Sequence, residues 1–258
     1  MINIRKSPLR KAANTFEKKL DRIKKEAKVE FDWYPYKSMN NLTIIDQLLK
    51  GGQESFFDTL AKDKRVLDIG CADGDIAFYF ESQGFDVDVV DRKVTNYNDL
   101  KACNYLKNKL DSTVRILEHD VDRNFVLENE YGFTFAMGIL YHLRNPFYFL
   151  NMLCLVSDYV LLSTRIASHA PDGTEIKNLS VGYLVAADEL NNDPTNYWIF
   201  SLKGMHQLIK RSGFEIIKEH CIGEVGKSTP HEVKKDERYF ALLKRVPNYK
   251  DIFEHHHY

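Results

Sequence analysis

Hydrophobic and polar positions alternate in blocks from residue 65 onward. Short apolar runs that are typical of buried strands cover residues 65–69, 87–91, 114–119, 133–137 and 159–163. Segments with apolar residues at three- and four-residue spacing lie near residues 75–82, 99–110 and 147–156. Strands that alternate with helices in this way predict a parallel sheet covered by helices on both faces.

The end of the chain has a different pattern. A helical segment at residues 201–212 is closed by Gly213, and strands are predicted at 214–220 and 238–243. The stretch between these two strands is polar and contains glycine, so the pair is predicted to be antiparallel at one sheet edge. We therefore expect a doubly wound, Rossmann-like α/β fold with a seven-stranded, mostly parallel sheet whose last strand is antiparallel.

The chain is predicted to have three parts. Residues 1–60 form a helical extension or lid, residues 61–250 form the main domain, and residues 251–258 form a tail. An insert at residues 165–200 follows the fifth strand, and a compact domain normally carries an insert of this length for function or as a subdomain. The three consecutive histidines from His255 are interpreted as part of the tail and not as a metal site.

Composition limits the class of protein. The chain has 258 residues, of which 44% are hydrophobic and 28% charged, and no apolar run approaches the roughly 18 residues of a membrane span. Its start lacks the apolar core of a secretion signal, and the four cysteines show neither paired nor zinc-type spacing. We expect a cytoplasmic protein with buried thiols and neither a metal nor a membrane partner. The patterns indicate no oligomeric state.

Charge is unevenly distributed. The formal net charge is −1, which does not suggest a dedicated nucleic-acid binder. Residues 1–37 nevertheless hold eleven Lys or Arg and five Asp or Glu, a surplus of six positive charges. This basic N-terminus could contact RNA phosphates, but a solvated helix face with Phe16, Leu20 and Ile23 as its apolar stripe is favoured.

A nucleoside site is predicted after the first strand. Residues 66–74 read as an apolar strand, a turn of small residues and the start of a helix. In an open parallel sheet, ligands bind beyond the carboxyl ends of the strands, at the point where the strand order reverses. The second strand ends at Asp91, 21 residues after Gly70, where a carboxylate can accept both hydroxyls of a ribose.

The turn also indicates which nucleoside is bound. Its pattern is D-x-G-x-x-x-G from Asp68 to Gly74, not the G-x-G-x-x-G of a dinucleotide site. An acidic residue here would repel a pyrophosphate, but it suits the ammonium of an amino-acid tail. S-adenosylmethionine has both a ribose and such a tail.

Four segments together resemble the class I S-adenosylmethionine-dependent methyltransferases over about residues 60 to 245. They are the glycine turn, the acidic end of the second strand, His119-Asp120-Val121 and Met137-Gly138-Ile139-Leu140-Tyr141-His142. The resemblance implies that Asp120 meets the adenine amino group and Val121 the ring face. Ala72 stands where the family commonly has glycine, which adds a methyl group to the turn. The predicted cofactor-binding residues are Asp68, Gly70, Cys71, Ala72, Gly74, Asp91, Arg92, Asp120, Val121, Met137, Gly138 and Tyr141.

The segment from Met137 to Pro146 is similar to its counterpart in the enzymes that alkylate the wobble uridine of tRNA with carboxy-S-adenosylmethionine. Tyr197-Trp198 and the helix after Ser201 also resemble that group. The resemblance implies that Tyr141 lies beside the transferable group of the cofactor. No lysine that would grip the carboxylate can be placed before Arg65, so plain S-adenosylmethionine is favoured over the carboxylated form.

The acceptor side contributes the predicted catalytic residues. Methyl transfer is an in-line displacement, so most of the catalysis can come from positioning the acceptor. His142 is the first candidate for a base that removes the acceptor's proton, and His169 is the second. Arg165, at the end of the fifth strand, is predicted to pair with a carboxylate or phosphate on the acceptor, or else to form a structural ion pair. Tyr141 completes the predicted catalytic set.

These residues predict an S-adenosylmethionine-dependent methyltransferase that acts on an oxygen or nitrogen of a small polar metabolite. A tRNA-modifying methyl- or carboxymethyltransferase is the first alternative, and the basic N-terminus is its best support. A non-catalytic, methyltransferase-like binding or scaffold protein is the second.

Overall fold

A computed structural model of the chain describes residues 8–49, 65–123 and 125–249. The chain divides into two compact units. The first consists of Met1–Val121 and Tyr131–Phe135, and the second of Asp122–Glu130 and Ala136–Tyr258.

The first unit begins with a helical pair, α1 (Pro8–Glu26) and α2 (Leu42–Leu49), with a short 3-10 turn at Ser38–Asn41. The apolar stripe of α1 includes the buried Leu20. The Asp46 carboxylate of α2 accepts the backbone N–H groups of Leu9 at 3.0 Å and Arg10 at 3.1 Å. A carboxylate at a helix start satisfies donors that have no partner within the helix, so Asp46 fixes α1 against α2.

The parallel part of the first unit alternates strands and helices, as the sequence pattern predicts. Its elements are β1 (Arg65–Ile69), α3 (Asp75–Ser82), β2 (Asp86–Asp91), α4 (Lys101–Leu110), β3 (Arg115–Glu118) and the first residues of β4 (Tyr131–Met137). The strand order is β3-β2-β1-β4, with parallel pairing of β1 with β2 and of β2 with β3. Val66, Leu67 and Val89 are at most 1% exposed, as expected for strands covered on both faces.

The second unit contains the end of β4 and the remaining strands. Its other elements are α5 (Pro146–Val156), β5 (Ser157–Ala167), β6 (Gly182–Leu184), β7 (Trp198–Ser201), α6 (Leu202–Arg211), β8 (Phe214–Gly223) and β9 (Glu237–Arg245). Short 3-10 turns occur at Leu140–His142 and Val233–Lys235. Pro146 stands at the start of α5, where its missing N–H costs nothing. Ser201 caps α6 by accepting the Gly204 N–H at 2.9 Å.

The last strand is antiparallel, as predicted. β9 pairs with β5 from Tyr159↔Lys244 to Ile166↔Glu237, and on its other edge it pairs antiparallel with β8. The described residues hold nine strands, because the insert adds β6 and β7, which pair with each other through Gly182↔Phe200. β7 also runs parallel to the end of β5. The mostly parallel, Rossmann-like sheet of at least seven strands is therefore confirmed.

Several further expectations concern the chain as a whole. Cys71, Cys103 and Cys154 are buried free thiols, and Cys221 is half-buried. Within the described ranges, no helix is long and apolar enough to cross a membrane. The tail at 251–258, with its histidines, lies outside the described residues, as does the boundary at residue 60. The division into extension and main domain stays a prediction.

Candidate functional site

The turn after β1 has an unusual backbone. Gly70, Ala72 and Gly74 all have positive φ, at 72°, 55° and 86°. A Cβ on Gly74 would lie 2.8 Å from the Phe78 ring and 2.9 Å from the Cys103 sulfur, so only glycine fits there. Ala72 adopts the left-handed conformation despite its methyl group, at a cost of about 1–2 kcal/mol. Strain of this kind persists where surrounding contacts hold the backbone, and it is often found at functional sites.

Asp68 is the buried acidic residue of β1, and 5% of it is exposed. Burial raises the pKa of Asp68 to about 7, and the nearby carboxylates of Asp91 and Asp75 add to the effect. A bound cation stabilises the charged form of such a buried carboxylate more than that of an exposed one. The site therefore fits the ammonium group of an amino-acid tail.

Asp91 ends β2 and is held by neighbouring donors. Its Oδ1 accepts the Arg92 backbone N–H at 2.7 Å, and its Oδ2 accepts the Asn96 side-chain amide at 2.9 Å. The same amide donates to the Ala72 carbonyl at 3.2 Å, and the Cys71 thiol lies 3.7 Å from Asp91 Oδ2. Asn96 thus links Asp91 to the glycine turn. We call Asp68, residues 70–74, Asp91 and Asn96 the turn cluster.

The remaining predicted cofactor residues of the first unit lie after β2 and β3. The Arg92 guanidinium is 3.3 Å from an Asp120 carboxylate oxygen, and Asp120 is half-buried. Val121 is 7% exposed. Asp120 therefore has an ionic partner that the sequence pattern did not indicate. Its role toward adenine stays a prediction, as does that of Val121.

A connection that the sequence analysis missed ties α1 to the turn. The Lys24 Nζ lies 2.9 Å from Asp73 Oδ2 and 2.8 Å from Asp75 Oδ1. Asp73 is 2% exposed and also accepts the Tyr34 backbone N–H at 3.1 Å and the Asn98 amide at 2.9 Å. No local pattern could pair positions 49 residues apart. The basic helix therefore contributes one cation to the acidic start of α3.

We expect Lys24→Ala to lower the free energy of unfolding by about 1–3 kcal/mol, because it leaves the buried Asp73 carboxylate without its cation. Lys25→Ala is the matched control, since Lys25 is exposed in the same helical turn. Urea denaturation followed by circular dichroism measures both variants. Equal midpoints for the two would show that the Lys24 ion pairs contribute nothing to stability.

In the second unit, Tyr141 and His142 lie in the 3-10 turn after β4. The Gly138 N–H donates to the Ser163 carbonyl at 2.9 Å, and the Tyr197 N–H donates to the Tyr141 carbonyl at 2.8 Å. These backbone bonds fix the segment against β5 and the insert. The two rings are 4.2 Å apart between centroids. Met137 and Gly138 precede this turn, and their cofactor-binding role stays a prediction.

Arg238 of β9 is the main residue that the sequence analysis missed on this side. Its Nη1 donates to the Tyr141 hydroxyl at 3.2 Å, and its guanidinium lies 5.2 Å from the centroid of that ring. Its Nε donates to Asp236 Oδ2 at 2.9 Å. Arg238 is half-buried, so a ligand can reach it.

Arg165 lies among protein groups, and its predicted catalytic role stays a prediction. It is 4% exposed, and its Nη2 donates to the carbonyls of Thr229 at 3.1 Å and Glu232 at 2.6 Å. Its Nε is 3.2 Å from Asp236 Oδ1. Arg165 and Arg238 are cross-strand partners, so two guanidinium groups share one carboxylate. Arg238 is the better placed of the two to meet an acceptor.

His142 is held by the insert. Its Nδ1 lies 2.9 Å from Thr195 Oγ1 and 3.2 Å from the Thr195 carbonyl oxygen. Burial lowers the pKa of His142, and Asp193 and Arg238 act on it in opposite directions. The imidazole is therefore neutral at neutral pH, as a general base must be. We call Tyr141, His142, Asp193, Thr195 and Arg238 the acceptor cluster.

The polar residues of the insert mostly stabilise the insert itself. The buried Asn196 amide donates to the Leu190 carbonyl at 3.3 Å. Tyr197 and Trp198 contact Arg144, whose Nε donates to the Tyr197 hydroxyl at 3.0 Å.

Within the part of the chain that the structure describes, no group of three metal-binding side chains comes together.

Solved structures share this fold at low identity. The N-terminal domain of EvdMO1 with SAH bound has a TM-score of 0.57 and 16% identity, over 89% of this chain and 97% of that chain. The Bacillus halodurans C-125 protein BH2331, described as a candidate methyltransferase, has a TM-score of 0.53 and 15% identity, over 74% and 97%. The mitomycin 7-O-methyltransferase MmcR has a TM-score of 0.50 and 11% identity, over 81% and 57%.

A model of the methyltransferase domain family matches residues 44–219, which is more than half of the chain. Among the curated proteins, none matches the sequence. The chain belongs to the methyltransferase domain family, within the class I superfamily that the fold defines. It is an S-adenosylmethionine-dependent methyltransferase.

Proposed function

We propose that this enzyme methylates an oxygen or nitrogen of a small polar acceptor that carries an acidic group. The observation that carries the proposal is the acceptor cluster, in which a neutral imidazole and a half-buried guanidinium flank Tyr141. Arg165 and Arg238 share the carboxylate of Asp236, so these three side chains carry one positive charge in excess. An acidic group on the acceptor would offset it.

The roles follow from the chemistry of each side chain. Arg238 would hold the acidic group, and His142 would take the proton of the reacting hydroxyl or amine. Tyr141 would position the reacting end of the cofactor. S-adenosylmethionine supplies the methyl group when bound. In the first unit, Asp68 would hold its ammonium, Asp91 its ribose hydroxyls, and Asp120 and Val121 its adenine.

Two structural neighbours agree with a small acceptor. The N-terminal domain of EvdMO1 has also been crystallised in the presence of SAH and D-fucose, a small polar sugar. MmcR is a mitomycin 7-O-methyltransferase, so its acceptor is a small molecule. These neighbours support a small acceptor, while the proposed acidic group rests on Arg238 and on the carboxylate that it shares with Arg165.

RNA modification is the second candidate, and one observation favours it. A groove of about 710 Å³ between α1 and α3 is lined by Lys18, Lys19 and Arg22 beside Phe16 and Tyr79. Cations beside aromatic rings suit a nucleic-acid strand. Arg238 could also hold a carboxylate on the transferred group, as carboxy-S-adenosylmethionine would require.

The test uses S-adenosylmethionine labelled in its methyl group and a cell extract separated into a small-molecule fraction and an RNA fraction. We expect label in acidic small molecules, and we expect Arg238→Gln to lower transfer about 10- to 100-fold through loss of a charged contact. Lys244→Gln is the control, because Lys244 is an exposed cation on the same strand.

Other outcomes decide against the proposal. Label in the RNA fraction, with binding that weakens steeply as salt rises, would establish the second candidate. A product that carries a carboxymethyl group by mass, formed when carboxy-S-adenosylmethionine is supplied, would identify the carboxylated cofactor. Full transfer by Arg238→Gln would remove the acidic group from the proposed acceptor.

A further inference from the structure

The hydrogen bonds around His142 determine which ring nitrogen carries its proton. The Thr195 carbonyl oxygen lies 3.2 Å from Nδ1, and a carbonyl oxygen can only accept. A neutral imidazole that makes this bond must therefore have its hydrogen on Nδ1. The lone pair is then on Nε2.

The Thr195 hydroxyl imposes the same tautomer. Its hydrogen is directed to Asp193 Oδ1 at 2.6 Å, so Oγ1 presents a lone pair to His142 Nδ1 at 2.9 Å. The Thr195 backbone N–H also donates to Asp193 Oδ1, at 2.9 Å. One carboxylate oxygen thus fixes both the hydroxyl and the backbone of the residue that contacts the imidazole.

We propose that Asp193 and Thr195 are positioning residues that hold the His142 proton on Nδ1 and so present Nε2 as the proton acceptor. The inference rests on the proposed function for its catalytic meaning, because a base needs an unprotonated nitrogen directed to its substrate. The two ring nitrogens of histidine are not equivalent, and the partner of one decides the chemistry of the other.

The proton and electron balance is simple. Nε2 takes the proton of the acceptor hydroxyl or amine, and the acceptor atom forms its bond to the methyl carbon. The carbon–sulfur bond breaks, and its electron pair stays on sulfur. His142 becomes an imidazolium, which donates from Nδ1 to Thr195, and the Asp193 carboxylate stabilises this charge through the Thr195 hydroxyl.

The groups that face the ring agree with this role. Asp193 raises the pKa of His142 and the Arg238 guanidinium lowers it, while burial has the largest effect and also lowers it. The Tyr141 ring lies against the imidazole, with 4.2 Å between the ring centroids. Loss of the Asp193 charge should therefore lower the pKa of His142 further, without changing the tautomer if an acceptor oxygen remains.

The experiment is nitrogen-15 NMR of the full chain labelled at histidine, with the His142 signals identified by their loss in His142→Gln. We expect the wild-type protein at alkaline pH to show a protonated Nδ1 and an unprotonated Nε2. Asp193→Asn keeps an acceptor oxygen, so it should keep the tautomer and lower the titration midpoint of His142. Asp193→Ala removes that oxygen and frees the Thr195 hydroxyl to donate to Nδ1 in competition with the Thr195 carbonyl, so it should give a mixture of the two tautomers.

The results separate the inference from the proposed function. A wild-type His142 with its proton on Nε2 overturns the inference whatever the enzyme methylates. An unchanged tautomer and titration midpoint in both Asp193 variants also overturns it. If the tautomer is as inferred, turnover with the identified acceptor should fall about 10-fold in Asp193→Ala and recover in part in Asp193→Asn. A protein that transfers no methyl group to a small molecule fails the proposed function alone.

Discussion

His142→Ala is expected to lower turnover about 10²- to 10⁴-fold, the usual contribution of a general base. Affinity for S-adenosylmethionine should remain close to that of the wild type, because the hydrogen bonds of His142 are with Thr195 of the insert. Steady-state kinetics with the identified acceptor and calorimetry with S-adenosylmethionine measure the two effects. His169→Ala is the control, since His169 is the other histidine predicted as a base.

The pH profile gives an independent check. A base must be neutral, so wild-type turnover should rise with pH as the imidazolium loses its proton. Because burial lowers the pKa of His142, the inflection should lie below the ordinary value of about 6.5. The His142→Ala enzyme should lack this inflection. Normal turnover with an unchanged inflection in that variant, or a large loss in His169→Ala, would assign the base elsewhere.

Asp91→Ala is expected to raise the dissociation constant for S-adenosylmethionine about 10- to 150-fold. A hydrogen bond to a charged acceptor contributes roughly 1.5–3 kcal/mol, and each 1.4 kcal/mol is a factor of ten in affinity. Asp91 stands at the carboxyl end of β2, where its oxygens already accept from Arg92 and Asn96 and can also accept ribose hydroxyls. Isothermal titration calorimetry measures the change.

Asp86→Ala is the matched control for this experiment. Asp86 is an exposed carboxylate at the opposite end of the same strand, so its loss should leave cofactor affinity unchanged. Circular dichroism of both variants establishes that the sheet is intact. A folded Asp91→Ala protein with the affinity of the wild type would exclude Asp91 from the nucleoside site.

The parallel part of the fold was predictable from sequence because each element there has a clear pattern. The predicted strand at 65–69 and helix at 75–82 have the same bounds as β1 and α3. Both are buried among apolar neighbours, so hydrophobic periodicity alone identifies them. β5 is longer than its predicted core at 159–163, because β9 pairs with it from Tyr159 to Ile166. Pairing with a distant strand extends an element beyond what its own residues indicate.

The insert was not predictable in the same way. β6 is only three residues long, and none of its residues is buried. Its pairing with β7 joins residues up to 18 positions apart in the chain, as in Gly182↔Phe200. Strands this short are stabilised by tertiary contacts, and their own propensity is a weak signal.

The two arginines of the candidate site show that the sequence indicates a residue's place in a strand but not its contacts. Arg165 follows from its place at the end of a strand, but nothing in the sequence indicates that carbonyl oxygens of Thr229 and Glu232 surround it. Arg238 is near Tyr141 only because β9 lies antiparallel to β5. Cross-strand partners of this kind depend on register, which the sequence pattern does not specify.

Strand β4 restricts how this polypeptide can be cut and recombined. The chain passes between the two units after Val121, after Glu130 and after Phe135, so β4 gives its first five residues to one unit and its last two to the other. No single break in the chain can release either unit whole. A fragment that stops at Val121 lacks Tyr131–Phe135, and exchange of one half with a related enzyme would replace part of a shared strand. Chimeras with altered acceptor specificity therefore need at least three junctions.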